Sequence, residues 1–172
     1  ENIISNSFWG IYMSFYCDNN DIFNNSITDQ NIGIYLWRFC DGNVIKHNNL
    51  LENNIAIYLR TDCDGNTLID NYAISSTTMD RGFYLNDDCD NNDILFNDVG
   101  NTSSYGITIE ANSDYNNITG NGVTENSIGI YVTDACLSNN ITENNATSNS
   151  DTGIKLINNS NQNYLIGNTI ED

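Results

Sequence analysis

The residues of this chain that could do chemistry fall in columns spaced one repeat apart. Asp18, Asp41, Asp64, Asp90 and Asp114 recur at intervals of 23 to 26 residues, and Asp62, Asp87 and Asp88 reinforce them. Carboxylates stacked at the ~4.8 Å spacing of neighbouring strands repel by roughly 1 kcal/mol per pair in water, and by more at a shielded surface, so something must compensate. Calcium is the cofactor such a column would hold, being a hard cation that takes several carboxylate and carbonyl oxygens in flexible geometry. A solvated acidic face that keeps a surface protein soluble is the alternative, and no cofactor is required.

Cys17, Cys40, Cys63, Cys89 and Cys136 form a second column, completed by Ser113 and Ser160. The Asp-Cys-Asp alternation at 62–64 and 88–90 turns the thiols inward as a ladder of small residues. Stacked side chains reach the disulfide dihedral with difficulty, and a linear ladder does not supply converging metal ligands. A third column is aromatic: Tyr12, Tyr35, Tyr58, Tyr84 and Tyr131, with Thr108 and Lys155 in the remaining places. Such a stripe can bind sugar rings, pack against a protein surface, or simply cover itself. Paired carboxylates could hydrolyse a glycosidic bond, but with so many aspartates no pair stands out. The one histidine, His47, lies at an outward position between Lys46 and Asn48. No catalytic residue is assigned. An enzyme here would be a polysaccharide lyase or a glycoside hydrolase.

What positions these columns is an internal repeat. A small residue followed by Ile-Tyr and a further apolar residue recurs at Gly10, Gly33, Ala56, Gly82, Gly106, Gly129 and Gly153. Period-2 alternation sends Ile11, Ile34, Ile57, Phe83, Ile107, Ile130 and Ile154 inward and the tyrosines outward. Ten positions after the small residue stand Asn20, Asn43, Asn66, Asn92, Asn116, Asn139 and Asn163. Five further on stand Asn25, Asn48, Asn71, Asn97, Asn121, Asn144 and Asn168. Asparagine suits turns and, in stacked coils, can donate its side-chain amide to the next coil as a ladder. The 34 asparagines and the absence of proline fit that arrangement. The extra residues at 75–78 and 101–104 are expected to protrude as loops. The whole of 1–172 therefore reads as one all-β solenoid, a single-stranded parallel β-helix of about seven coils of 23–26 residues. It reads as a fragment of a longer chain or polymer, with neither end capped.

Composition narrows the partners. Five basic residues against 23 acidic ones give a net charge of −18, which excludes nucleic acid and anionic membranes. No apolar run is long enough to span a bilayer. Sequons at Asn24, Asn101, Asn117, Asn140, Asn145 and Asn158 are candidates for N-glycosylation in a secreted protein.

Written out as Asn-x-Ile-x-x-Asn-x-Ile followed by Gly-Ile-Tyr-Leu, the repeat resembles the NosD-like repeats of the carbohydrate-binding and sugar-hydrolase (CASH) group of β-helix proteins, which are abundant in cell-surface proteins of methanogenic archaea. The resemblance covers essentially the whole chain. It implies a right-handed helix, an extracellular or cell-surface location and glycan chemistry nearby, and it carries over no catalytic residue. The function expected is that of a noncatalytic structural module. It would assemble end to end or side by side into a surface layer, sheath or filament, with itself or other surface proteins as partners. A glycan-binding or glycan-processing β-helix is the alternative.

Overall fold

A computed structural model describes residues 2–171, with the side chains of Thr77 and Thr78 left aside. Strands and turns make up the described chain, without a helix, and every strand pairing is parallel. Each coil contributes to three faces. The first face carries short strands: β1 (Ile3–Ser5), β4 (Ser26–Thr28), β7 (Asn49–Leu51) and β14 (Gly122–Thr124). The long-strand face carries β2 (Trp9–Ser14), β5 (Ile32–Trp37), β8 (Ile55–Arg60), β15 (Ile128–Val132) and β17 (Thr152–Leu156). Two strands, β10 (Tyr72–Asn86) and β12 (Asp98–Glu110), run across both faces and merge them into one eleven-stranded sheet. The third face is a seven-stranded sheet of β3 (Asp21–Phe23), β6 (Val44–Lys46), β9 (Thr67–Ile69), β11 (Asp93–Leu95), β13 (Asn117–Thr119), β16 (Asn140–Thr142) and β18 (Tyr164–Ile166).

Register follows the repeat. Ile11 pairs with Ile34, Ile34 with Ile57, Phe83 with Ile107, and Ile107 with Ile130, so like side chains stack down the core. On the third face Ile22, Ile45, Leu68, Ile94, Ile118 and Ile141 do the same. Burying one aliphatic side chain of this size contributes about 1.5–3 kcal/mol, and the inner coils bury several each.

Two asparagine ladders brace the corners on either side of the third face. In one, Asn43 donates its backbone and side-chain N–H groups to Asn66 Oδ1 at 2.9 and 3.0 Å, and Asn66 repeats this to Asn92 at 2.8 and 3.1 Å. In the other, Asn97 Oδ1 accepts both N–H groups of Asn71 at 2.9 and 3.0 Å. The Asn97 side chain in turn donates to Leu68 O at 2.9 Å and to Asn121 Oδ1 at 3.0 Å. Each buried amide is thus satisfied by the coils above and below it. That is the condition for burying one without penalty.

A third ladder, which the repeat pattern did not bring out, lies at the corner before the long strands. Gln30 N–H donates to Asn53 Oδ1 at 3.1 Å, Thr102 to Asn126 at 3.1 Å, and Asn126 to Asn149 at 2.9 Å. The glycine column runs beside it, kept free of side chains by the next coil's carbonyl and, in several coils, by the ladder amide as well. A Cβ at Gly106 would lie 2.7 Å from Gly129 O and 2.9 Å from Asn126 Nδ2, and one at Gly129 would meet Gly153 O at 2.5 Å. The exception, Ala56, faces the coil in which the amide gives way to buried Met79.

The insertions at 75–78 and 101–104 do not protrude as loops. They lie inside β10 and β12, which absorb the extra residues as register shifts between Ile74 and Arg81. Ser75 is buried, and its hydroxyl donates to Glu52 at 2.8 Å, as does the Ser76 amide. Polar residues read as a loop are here held against a carboxylate of the preceding coil.

Because each ladder amide serves two coils, Asn97→Ala should destabilise the chain by about 3 kcal/mol or more, from several lost bonds and orphaned partners on both neighbours. Asn54→Ala, at an exposed position, should change stability by less than about 0.5 kcal/mol. Denaturant unfolding of the two variants measures the contrast.

Candidate functional site

After each long strand the chain turns through two successive residues with positive φ: Phe15 and Tyr16, Arg38 and Phe39, Thr61 and Asp62, Asp87 and Asp88. This conformation costs roughly 1–2 kcal/mol for a residue with a Cβ. Backbone bonds to the next coil offset it, such as Arg38 N–H to Arg60 O at 2.9 Å and Asp62 N–H to Asp87 O at 3.0 Å. The following residue is the cysteine. Cys40, Cys63, Cys89 and Cys136 are fully buried and Cys17 partly so, and all five are free thiols. Their sulfurs turn to carbonyls of their own coil, as in Cys63 to Arg60 O at 3.3 Å and Cys136 to Thr133 O at 3.0 Å. Burial pushes the Cys40 thiol up to about 11 and that of Cys136 to about 12, so these sulfurs stay protonated.

Next comes the aspartate column, which is itself a ladder. Oδ1 of Asp18 accepts the Asp41 amide at 2.9 Å, Asp41 that of Asp64 at 2.9 Å, Asp64 that of Asp90 at 2.8 Å, and Asp90 that of Asp114 at 2.7 Å. The last carboxylate, Asp114, accepts the Leu137 amide at 2.6 Å. These amides are the compensation that the stacked charges require. It is incomplete: burial, with the charges of neighbouring aspartates, holds Asp64 and Asp90 above the usual carboxylate range despite the amide bonds. Asp62, Asp87 and Asp88 stand on the corner itself, where Asp87 accepts the Thr61 hydroxyl at 2.7 Å. The column gives one carboxylate per coil. Among the described residues no three His, Cys, Asp or Glu side chains converge on a point where a metal ion could sit.

The tyrosines lie on the long-strand face, but they are less of a surface than strict alternation implies. Tyr12 is 37% exposed, whereas Tyr35 is 6% exposed. The rings stack on one another: Tyr35 on Tyr58 at 5.0 Å and 11°, and Tyr58 on Tyr84 at 4.6 Å and 7°. Where Thr108 interrupts the column, Tyr105 from three residues earlier stacks on Tyr131 at 4.6 Å and 9°. The faces are therefore spent on neighbours, leaving edges and hydroxyls for solvent.

Cations accompany them. Arg81 lies over Tyr84 at 4.2 Å and pairs with Asp80 at 3.6 Å and Glu110 at 3.5 Å, while Tyr84 donates its hydroxyl to Glu110 at 2.6 Å. Burial and the Glu110 carboxylate raise the Tyr84 phenol well above its ordinary value, so it is a hydrogen-bond donor and not a base. Arg38 covers Trp37 at 4.5 Å. His47 sits at a different corner, exposed and 4.0 Å from Asp70, beside an open polar depression of about 440 Å³ lined by Asn24, Asn25, Ser26 and Asn49.

The sequon asparagines divide into two groups. Asn117 donates to Asp93 at 3.1 Å, Asn140 to Asn117 at 3.0 Å, Asn158 to Asp134 at 3.0 Å, and Asn101 to the Ser75 carbonyl. Asn24 and Asn145 are exposed, as is Asn158.

Coils in parallel register, closed by amide ladders and carrying an aromatic and cationic strip on the widest sheet, define a parallel β-helix repeat protein. The family described as "Periplasmic copper-binding protein (NosD)" matches residues 1–78 and 73–172, and the chain belongs to that family. Among solved structures it is similar to the periplasmic alginate epimerase AlgG, with 17% identity and a TM-score of 0.83 over 98% of this chain and 49% of that one. The AlgG D317A mutant gives 20% identity and a TM-score of 0.85 over 98% and 42%. The A-module of the Azotobacter vinelandii mannuronan C-5 epimerase AlgE4 gives 12% and 0.67 over 90% and 54%. The chain thus spans about half the length of the structures it resembles, and at these identities the likeness is one of fold. No curated protein matches it.

A carboxylate whose pKa is raised by folding opposes stability when ionised, and the opposition disappears as pH falls through the raised value. Asp64→Asn combined with Asp90→Asn keeps both amide acceptors and removes two charges. In a chelator, the double variant should therefore melt at a higher temperature than the parent at pH 7, and the gap should close towards pH 3. A lower midpoint at pH 7 would contradict this account of the column.

Proposed function

We propose that this chain is a noncatalytic, glycan-binding stretch of an extracytoplasmic β-helix, with the long-strand face as its ledge. One observation carries the reading: four of the five basic residues, Arg38, Arg60, Arg81 and Lys155, belong to this face and its corner, among the stacked aromatic rings, in a chain of net charge −18. Stacked tyrosine edges offer hydroxyls, and arginines offer fixed forks of N–H donors. A row of such donors one strand spacing apart matches the many hydroxyls of a polysaccharide. Alginate, named in the descriptions of the AlgG structures, is one such polymer. The family's description as periplasmic supports a location outside the cytoplasm.

The noncatalytic part rests on the same face. Tyr84 is held protonated, Glu110 is engaged by Tyr84 and Arg81, and His47 lies at another corner. Copper, named in the family's description, would take converging thiolate, thioether or imidazole ligands. The thiols here stand in single file inside the core and the chain has one histidine, so the residues present do not fit that metal.

A structural role is the second reading, in which the face packs against another surface protein or a second copy. The mutual stacking of the tyrosine faces favours it. N-linked sugars at Asn24 and Asn145 belong with either reading.

Binding to a polysaccharide panel separates the two. The chain should retain at least one polymer without cleaving or epimerising it. Tyr58→Thr, which places in the column the residue type already present at Thr108, should weaken that binding by about three- to tenfold, the worth of an aromatic contact. Retention of no glycan by a chain that self-associates would favour the structural module, and turnover would overturn the noncatalytic claim.

A further inference from the structure

Resting on the glycan-binding reading, we propose that Arg38 and Arg60 form a subsite for an anionic sugar ring, a uronate or a sulfated residue, on the second and third coils. The two residues occupy adjacent rungs. Arg60 is the strand partner of Trp37, and the Arg38 amide donates to the Arg60 carbonyl at 2.9 Å. Both side chains are exposed.

What sets them apart is how they are held. Arg81 is matched by Asp80 and Glu110, and Lys155 by Asp151 at 3.5 Å. Among the described residues Arg38 and Arg60 form no ion pair, although acidic residues outnumber basic ones 23 to 5. An aromatic pair holds Arg38 instead. Its guanidinium lies 4.5 Å from the Trp37 ring and 5.3 Å from Phe15, and Arg60, on the next rung, stands near the Tyr35 and Tyr58 phenols. Asp18 and Asp41, in the neighbouring column, each accept a backbone amide at 2.9 Å and form no ion pair with either arginine. Asp87, which acts on Arg60 through space, is engaged by Thr61.

A guanidinium fixed by ring contact retains most of its N–H donors and has lost little freedom left to lose on binding. With the second exposed guanidinium of Arg60 on the adjacent rung, that of Arg38 suits an oxyanion that accepts paired bonds, as carboxylates and sulfates do. At the adjoining corner Phe15 and Tyr16 stand 50% and 70% exposed, ring surface against which a sugar can lie. A neutral sugar would take only single hydroxyl contacts from the arginines. A carboxylated or sulfated one uses both.

Calorimetric titration with an oligogalacturonate, its fully methyl-esterified form, a sulfated oligosaccharide and a poly-glutamate peptide tests the subsite. The acid or the sulfated sugar should bind at least about tenfold more tightly than the ester, the worth of one good charge-assisted contact. Which of the two binds identifies the anion. Arg38→Gln and Arg60→Gln should each remove about tenfold from binding of the charged sugar, weaken the ester by much less and keep the parent's melting temperature. Equal binding of acid, sulfated sugar and ester, or arginine variants that bind like the parent, would overturn the subsite while leaving glycan binding in place. Poly-glutamate held as tightly as the charged sugar would overturn it in favour of a peptide anion site. Binding of no sugar would remove the subsite together with the reading it rests on.

Discussion

The interaction on which the rest of the structure depends is the bond from one asparagine side chain to the equivalent asparagine one coil away. A solenoid has no sequence-distant layer to lock its register. A slip of one residue would turn each apolar column to solvent. The ladders prevent that slip because an amide in a corner can be satisfied only by the matching amide of the adjacent coil. Asn97, for instance, would lose its bonds to Leu68 and Asn121, and Asn71 its acceptor, in any other register. Hydrophobic stacking supplies most of the favourable free energy, and the amides decide which stack forms.

The functional surfaces are by-products of that register. Once coils repeat, any side chain that recurs in the repeat becomes a column, and its chemistry is set by what stacking does to it. Stacked thiols turn into the core. Stacked carboxylates survive by accepting the next coil's amide, at the expense of mutual repulsion. Stacked tyrosines consume each other's faces and offer edges. Departures from the repeat are where individual character returns: Thr108, with Tyr105 leaning in; Met79, where an amide ladder breaks; and Arg38, held by rings beside Arg60 where Arg81 and Lys155 have carboxylate partners.

Fold and coil number could be read from the sequence because a parallel solenoid writes its period directly into the chain, and two asparagine columns stand in strict register. The third ladder was hidden. Its members vary in type, Gln30, Asn53, Thr102 and Asn126, standing three or four residues before the small residue, and the insertion puts Met79 in the place before Gly82. The insertions themselves were misread, since Ser75-Ser76-Thr77-Thr78 has loop composition and nothing local reveals that Glu52, a coil earlier, would accept from it. The aspartate column was visible as charge, but its backbone partners were not, because hydrogen bonds to main chain leave no mark on residue type. Arg38 and Arg60 escaped for a similar reason. Their interest lies in the partners they lack, which only the three-dimensional arrangement reveals.

The claim that side-chain amides fix the coils is tested most directly by hydrogen exchange at the asparagine side-chain NH2 groups, resolved by NMR under native conditions. The account predicts that the Nδ2 protons of Asn48, Asn71, Asn97, Asn121 and Asn144 exchange only through global unfolding, at the free energy of the core strand amides. Exchange of these groups as fast as that of exposed Asn54 and Asn112, while the strand amides remain protected, would contradict it.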